Sequence, residues 1–474
     1  MKRLVVILSA AAFTHVVAAT GLNADFGVEK RPFRRALHSS GFAPRIYSAG
    51  DTFNQVKSLK FDYTRTHDWA LINNGQRIID SHFIFPLMHL DHTDPKNYYF
   101  KPTDLILKRA QEAGMKIFYR LGTSIEHTGN VHHFNTLIPE DFDKVAEVFA
   151  ATVRHYTKGW ADGFNWDIKY WEIWNEPDIR NAMWCLPEGD EGPGRFEKRQ
   201  KLFIKFFVTC LKRLKSEFPE LKIGGPAMCW YREDYFKLIL AECKKQGVAP
   251  DFISWHYYGD RPLCMTDAAD AARKMLDDFG FTKCELILNE WHYLGKYSWG
   301  GLRNSDPAVV KKVWEGPASH NGIESSAFTL TSLAMFQTSK LDQAYFYGCK
   351  HTGAWGYMDQ YQQKYKIWYA LKLFGDLAEK AATVCDSTSA DTVTLLAVKS
   401  ADGKTGSLLV SDYRGEAMEI PVAVKGAGKV VSATILDHER NNEPVDVTLE
   451  NGVLRLKKKI PGSAAFLVTF EIAQ

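Results

Sequence analysis

Two glutamates carry the chemistry that this sequence can do. Residues 170–178 read YWEIWNEPD: a short apolar, aromatic-rich run that ends in Asn175, Glu176 and Pro177. Aromatic and β-branched side chains favour a strand, and Pro177 stops it from continuing, so Asn175 and Glu176 fall at its end. The arrangement recurs at 285–291, ELILNEW, where an apolar run reaches Asn289 and Glu290. Breaking a glycosidic bond calls for two carboxyl groups in different protonation states. One protonates the leaving oxygen and the other meets the cationic sugar centre. Glu176 is expected to be the acid/base, kept protonated by partial desolvation beside a second carboxylate. Glu290 is expected to be the nucleophile, ionised before attack. A retaining reaction would set the pair about 5 to 5.5 Å apart.

The same motifs carry a resemblance. WNEP at 174–177 with a later NEW at 289–291 resembles the retaining glycoside hydrolases of the large (β/α)8 clan. Within that clan the chain is most similar to glycoside hydrolase family 39, the β-xylosidase and α-L-iduronidase family. TRTHDW (64–69), YRLGTSIEH (119–127) and DFISWHYY (251–258) match it as well. The likeness covers residues 30–375. It implies that the acid/base ends strand four and the nucleophile ends strand seven, which are the places of Glu176 and Glu290. It further implies that Asn175 bonds the sugar 2-hydroxyl, and that His67 and His256 line the subsite of the cleaved sugar. Glu126 and His127, on the loop after strand three, would contact sugar too. Tyr258, Trp291, Tyr293 and Trp355 are candidate stacking or edge residues, each also readable as core. Trp355 sits in the Gly-rich stretch HTGAWGYMDQ, which favours an exposed place. Arg65 is expected to orient the carboxylates rather than touch sugar.

The elements that must position these groups follow from periodicity. Strands are expected at 36–44, 61–66, 116–121, at the 170 stretch, and at 222–225, 251–256, 285–289 and 343–347. Amphipathic helices alternate with them, among them 142–156, where Phe142, Val145, Ala146, Phe149, Val153 and Tyr156 share a face. Eight strands interleaved with helices make an α/β fold, a (β/α)8 TIM barrel. After a last helix at 368–379 the texture becomes short β-rich runs with Asn451-Gly452 and Asp402-Gly403 at hairpin positions. The expected domains are a barrel over 20–378 and a β-sandwich over 379–474 serving as a brace, the first residues being free to join the β-domain. The segment CLPEGDEGPGRF (185–196) is expected to be a surface loop at the rim of the site, shaping an acceptor subsite.

Residues 1–19 pair a basic start, MKR, with an apolar run too short to span a bilayer and small residues at 18–19, the pattern of a cleaved secretory signal. No cysteine precedes Cys185, so no lipid anchor is expected near that cleavage site. The charge is balanced, 59 basic against 56 acidic residues, and no basic stripe supports nucleic-acid binding. Eight cysteines in an exported chain allow one or two disulfides, with buried free thiols as the alternative. The run HTGNVHHF (127–134) invites a metal reading, but adjacent His132 and His133 cannot easily share one ion, so no metal or other cofactor is expected. No nucleophile elbow or zinc motif supports an esterase or peptidase.

The expectation is a secreted or periplasmic retaining exo-glycosidase that releases a pentose, β-xylosidase-like or arabinosidase-like, from plant-type oligosaccharides or polysaccharides. Uronate-specific (iduronidase-like) or endo action are the alternatives within that class. A catalytically silent glycan-binding protein is the alternative outside it. Such a protein has no chemical need for both glutamates. No membrane partner is expected after signal cleavage, and the oligomeric state is open.

Overall fold

The computed structural model describes residues 21–47, 50–70, 77–124, 136–179, 183–187, 192–295, 299–302, 304–348 and 351–473. The expected signal segment lies outside these. Eight parallel strands close into a barrel: Ser39–Ser40, Tyr63–Thr66, Lys116–Leu121, Tyr170–Ile173, Lys222–Met228, Phe252–Gly259, Glu285–Tyr293 and Gln343–Phe346. The eighth strand pairs back onto the first through Tyr345 and Ser39. Phe118, Phe252, Ile287 and Tyr345 fill the barrel interior as a fully buried cluster, so the closed end is packed and chemistry is confined to the other mouth.

Three strands differ from expectation in ways that matter. The first shrinks from 36–44 to Ser39–Ser40, because Arg35–Leu37 forms a 3-10 turn and the Ser39 hydroxyl bonds the Ala36 carbonyl at 2.9 Å. Such local side-chain bonds compete with a ladder. The sixth and seventh strands instead run on, to Gly259 and Tyr293. Strand side chains alternate between faces, so the extension carries Tyr258 to the same face as His256. It also commits Trp291 and Tyr293 to the face opposite Glu290.

The helices obey their sequence signals. Phe142–Lys158 opens with the Asp141 side chain accepting from the Lys144 N–H and closes on Gly159 at φ 73°, a capped start and a left-handed stop. Trp184 lies between this helix and Arg195–Glu217, against Phe142, Phe203 and Phe206.

The last helix, Lys366–Lys380, leads directly into the strand Ala381–Thr388. The C-terminal strands do not split into two separately bonded layers. They form one hydrogen-bonded sheet of ten strands, which curls around a core including Phe26, Val410, Val422, Leu454, Phe466 and Phe470. The strand Asn23–Pro32 belongs to it, antiparallel to Ala381–Thr388 and parallel to Glu419–Lys425. The sheet is tied to the barrel where the Tyr413 hydroxyl donates to the Asp260 carbonyl at 2.9 Å and Arg414 pairs with Asp260 at 2.9 Å. Seven cysteines, at 185, 210, 229, 243, 264, 284 and 385, are free thiols. The one or two disulfides allowed above are therefore not found among the described residues, where desolvation keeps Cys210, Cys243 and Cys284 as buried thiols. No described helix is long and apolar enough to cross a membrane.

Candidate active site

Arg65, on the second strand and 1% exposed, organises the open mouth of the barrel. Its Nε donates to Glu172 Oε2 at 2.7 Å, its Nη1 to Glu290 Oε1 at 2.7 Å and its Nη2 to Asn175 Oδ1 at 2.8 Å. A guanidinium presents its donors in a rigid fork, so one side chain fixes groups arriving from strands four and seven. Glu172 completes its shell with Ser254 Oγ at 2.6 Å and Asn289 Nδ2 at 2.7 Å. Burial alone would lower the Arg65 pKa. The facing Glu172 and Glu290 outweigh it and hold the guanidinium above its ordinary value. Glu172→Gln would leave Arg65 paired with Glu290 but would set an amide NH2 against the donors of Arg65, Ser254 or Asn289. A buried donor left without an acceptor costs about 1–3 kcal/mol, so the unfolding free energy is expected to fall by about that amount, measured by denaturant titration.

The two glutamates meet above this hub. Glu290 accepts from Arg65 and from the Tyr258 hydroxyl at 2.7 Å, with His67 Nε2 at 3.4 Å and His256 Nδ1 at 3.3 Å. Glu176 Oε1 lies 2.8 Å from His256 Nδ1. A carboxylate oxygen of each glutamate and a nitrogen of His256 all fall within 4.8 Å of one another. Two carboxylates and an imidazole could also hold a cation, and among the described residues this is the one grouping that could. The run 127–134 lies outside the described residues.

Strained backbone also lies beside these groups. Asp68, Trp174, Glu176 and Ala227 all have positive φ, at 57°, 75°, 45° and 58°, a left-handed conformation that costs non-glycine residues energy unless neighbours enforce it. Here they do. The Trp174 N–H bonds the Leu121 carbonyl and the Glu176 N–H bonds the Ala227 carbonyl, both at 2.8 Å. Gly122, at φ 113°, sits under the Trp174 ring, where a Cβ would come within 2.7 Å of it. The turn that presents Glu176 is thus clamped from strands three and five.

The environments of the two carboxyl groups differ. Burial pushes Glu176 up to about 8, with Asp178 adding and Arg65 opposing. Burial raises Glu290 as well, against His256 and Arg65, which favour its ionised form. Only Glu290 bonds Arg65 and Tyr258 directly, and both contacts favour its ionised form, while burial keeps the proton on Glu176 near neutrality. Burial lowers His256 to about 4, and burial with Arg65 and Arg120 holds His67 well below its usual value. Both imidazoles are neutral neighbours.

Asn175, His67, His256, Tyr258 and Trp355 are brought together with Glu176 and Glu290. Trp355 is half-buried, its ring edge-on to Tyr258 at 5.5 Å, Tyr347 at 5.4 Å and His320 at 4.9 Å. Trp291 and Tyr293 are not part of the mouth, which corrects their reading as sugar contacts. Trp291 packs outward against Phe328, Phe336 and Phe346, and the Tyr293 hydroxyl donates to Glu324 at 3.0 Å. The lengthened strand is the reason. Glu126 and His127 lie outside the described residues. The sequence reading gave no role to Glu172, Ser254, Asp68 or Tyr347, whose hydroxyl bonds Asp68 at 3.2 Å. A charged residue in the middle of the apolar run YWEIW was the available signal for Glu172, since a buried charge demands a partner.

Residues 35–284 match the sequence pattern of glycosyl hydrolases family 39, which is more than half of the chain. The chain belongs to glycosyl hydrolases family 39. Glu176 and His256 fall inside the stretch matched to family 39, and Glu290 lies just beyond it. Within known proteins, a β-xylosidase of Caldicellulosiruptor saccharolyticus is 26% identical over 211 residues, 42% of this chain and 37% of that one. A β-xylosidase of Geobacillus stearothermophilus is 29% identical over 126 residues, 26% of this chain and 22% of that one. The match to this family 39 chain thus spans well under half the length of either relative. A glucosidase from Croceicoccus marinus shares the fold over 96% of this chain and 99% of its own, with TM-score 0.73 at 20% identity. The α-L-arabinofuranosidase of Thermotoga petrophila RKU-1 does so over 95% and 99%, with TM-score 0.62 at 14% identity.

Proposed function

We propose that this family 39 protein is a retaining exo-glycosidase that releases a terminal pentose, xylose or arabinose, by double displacement. The observation that carries the reading is the pair Glu176 and Glu290, with oxygens within 4.8 Å and unlike surroundings. Retaining enzymes keep their carboxyl groups about 5 Å apart, whereas inverting enzymes leave room for a water at about 6.5 to 9.5 Å. Glu290, ionised and aimed by Arg65 and Tyr258, attacks the anomeric carbon. Glu176 gives its proton to the departing oxygen, so the glycosidic bond breaks as the glycosyl–Glu290 ester forms. Glu176, now a carboxylate, then takes a proton from water as that water attacks the ester and frees Glu290. Asn175, its Oδ1 engaged by Arg65, keeps its amide N–H groups for the sugar 2-hydroxyl.

The pentose preference draws on the β-xylosidases, which the barrel sequence resembles. The basic and apolar segment at 1–19 supports an exported protein. Hydrolysis of a panel of aryl α- and β-glycosides tests the activity. The expected outcome is turnover of one pentoside, and silence on pentosides with turnover of an aryl uronide would move the substrate to uronic acids.

A further inference from the structure

The loop after the fifth barrel strand presents an aromatic that the reaction just described does not use. Trp230 is 58% exposed and makes no ring contact or hydrogen bond among the described residues. A lone exposed aromatic needs no explanation by itself; the place of this one does. The Cys229 N–H and Sγ bond the two carboxylate oxygens of Asp178 at 3.0 and 3.1 Å. The same loop is thereby fastened to the Glu176-Pro177-Asp178 turn. Ala227 supplies the carbonyl that holds the Glu176 N–H at 2.8 Å. From Ala227 to Trp230 is three residues, no more than roughly 11 Å of chain. The next residue, Tyr231, is turned inward against Phe236 and Trp255, and Arg232 is tied to Asp234. Trp230 alone in this loop offers an unoccupied aromatic surface, and it does so on the acid/base side of the mouth.

We propose that Trp230 is the platform of a leaving-group subsite, stacking against the first or second sugar beyond the bond that is cut. This rests on the acid/base role given to Glu176. The group that Glu176 protonates is the leaving oxygen, so the departing sugar must lie on its side, where the loop that carries Trp230 is fastened. The apolar face of a pyranose ring fits an indole, which contributes large contact area with little conformational freedom to lose. The substrate class that follows is an oligosaccharide rather than a sugar on a small aglycone.

The test compares two substrates of the same terminal sugar, a trisaccharide and a glycosyl fluoride, whose leaving group cannot reach a platform. Trp230→Ala is expected to raise KM about tenfold for the trisaccharide and to leave the fluoride within about twofold, with Trp230→Phe restoring most of the loss. Trp230 is exposed, so an unchanged melting temperature confirms the fold of each variant. Equal effects on both substrates, or none on either, would overturn the platform. Wild-type inactivity on the fluoride would instead overturn the glycosidase reading beneath it.

Discussion

Replacing Glu290 by glutamine is expected to cut kcat/KM by roughly four to six orders of magnitude, the loss seen when a nucleophile is removed from a unit that acts together. The amide would keep most of the shape, and its oxygen could still accept from Arg65 with the NH2 turned to the Tyr258 oxygen, but it cannot form the ester. Two secondary results separate this from simple misfolding. Glu290→Gly with added azide should regain turnover and yield a glycosyl azide of inverted configuration, because the small anion occupies the vacated side of the sugar. The Glu290→Gln variant should also still bind product, since Asn175, His67 and His256 are untouched. An activity loss under about tenfold would remove Glu290 from the chemistry.

Glu176→Gln is the second large effect, and its signature is the dependence on leaving group and pH. General acid catalysis contributes about 10²–10⁴-fold. That whole factor should disappear for oligosaccharides, whose leaving oxygen needs a proton, and much less for an activated aryl glycoside. The sign with pH follows from burial. The Glu176 carboxyl is pushed up to about 8, so the active, protonated form is lost as pH rises through that value. Wild-type kcat/KM should fall above pH 8, and the variant should lose this limb. Stability moves in the same window. A folded-state pKa raised from 4.5 to about 8 means that the stabilisation is full below the lower value and is lost as pH rises through the upper one. The amide of Glu176→Gln cannot ionise, so the melting temperature of the variant should gain on the wild type as pH climbs from 4.5 to 8. A variant that keeps the alkaline limb would assign that limb to another group.

What the sequence disclosed and what it withheld have physical reasons. Glu176 and Glu290 were legible because an apolar, β-rich run that stops at a polar pair marks a strand end, and because the pattern occurs twice, with Pro177 stopping the first run. His67 and His256 came from the resemblance to family 39 rather than from that rule, and Tyr258 stood only as a candidate stacking or edge residue that could equally be core. Trp291 and Tyr293 were misplaced because a strand end is a poor boundary to read. Once Glu285–Tyr293 is seen to run on, alternation sends both rings away from the mouth, with the ladder register shifting just before Glu290. Glu172 hid for the opposite reason: its meaning depends on Arg65, Ser254 and Asn289, which are remote in sequence and joined only when the barrel closes. That the expected β-sandwich is hydrogen-bonded as one curled sheet was not legible, because the pairing of Asn23–Pro32 with Glu419–Lys425 leaves no local mark.

The most direct test of the central claim is to trap the intermediate. A 2-deoxy-2-fluoro pentoside with a good leaving group should inactivate the protein in a time-dependent way. Intact mass should rise by one sugar, and peptide mapping should place the label on Glu290. Label on Glu176, or steady turnover to a product of inverted anomeric configuration, would contradict the account.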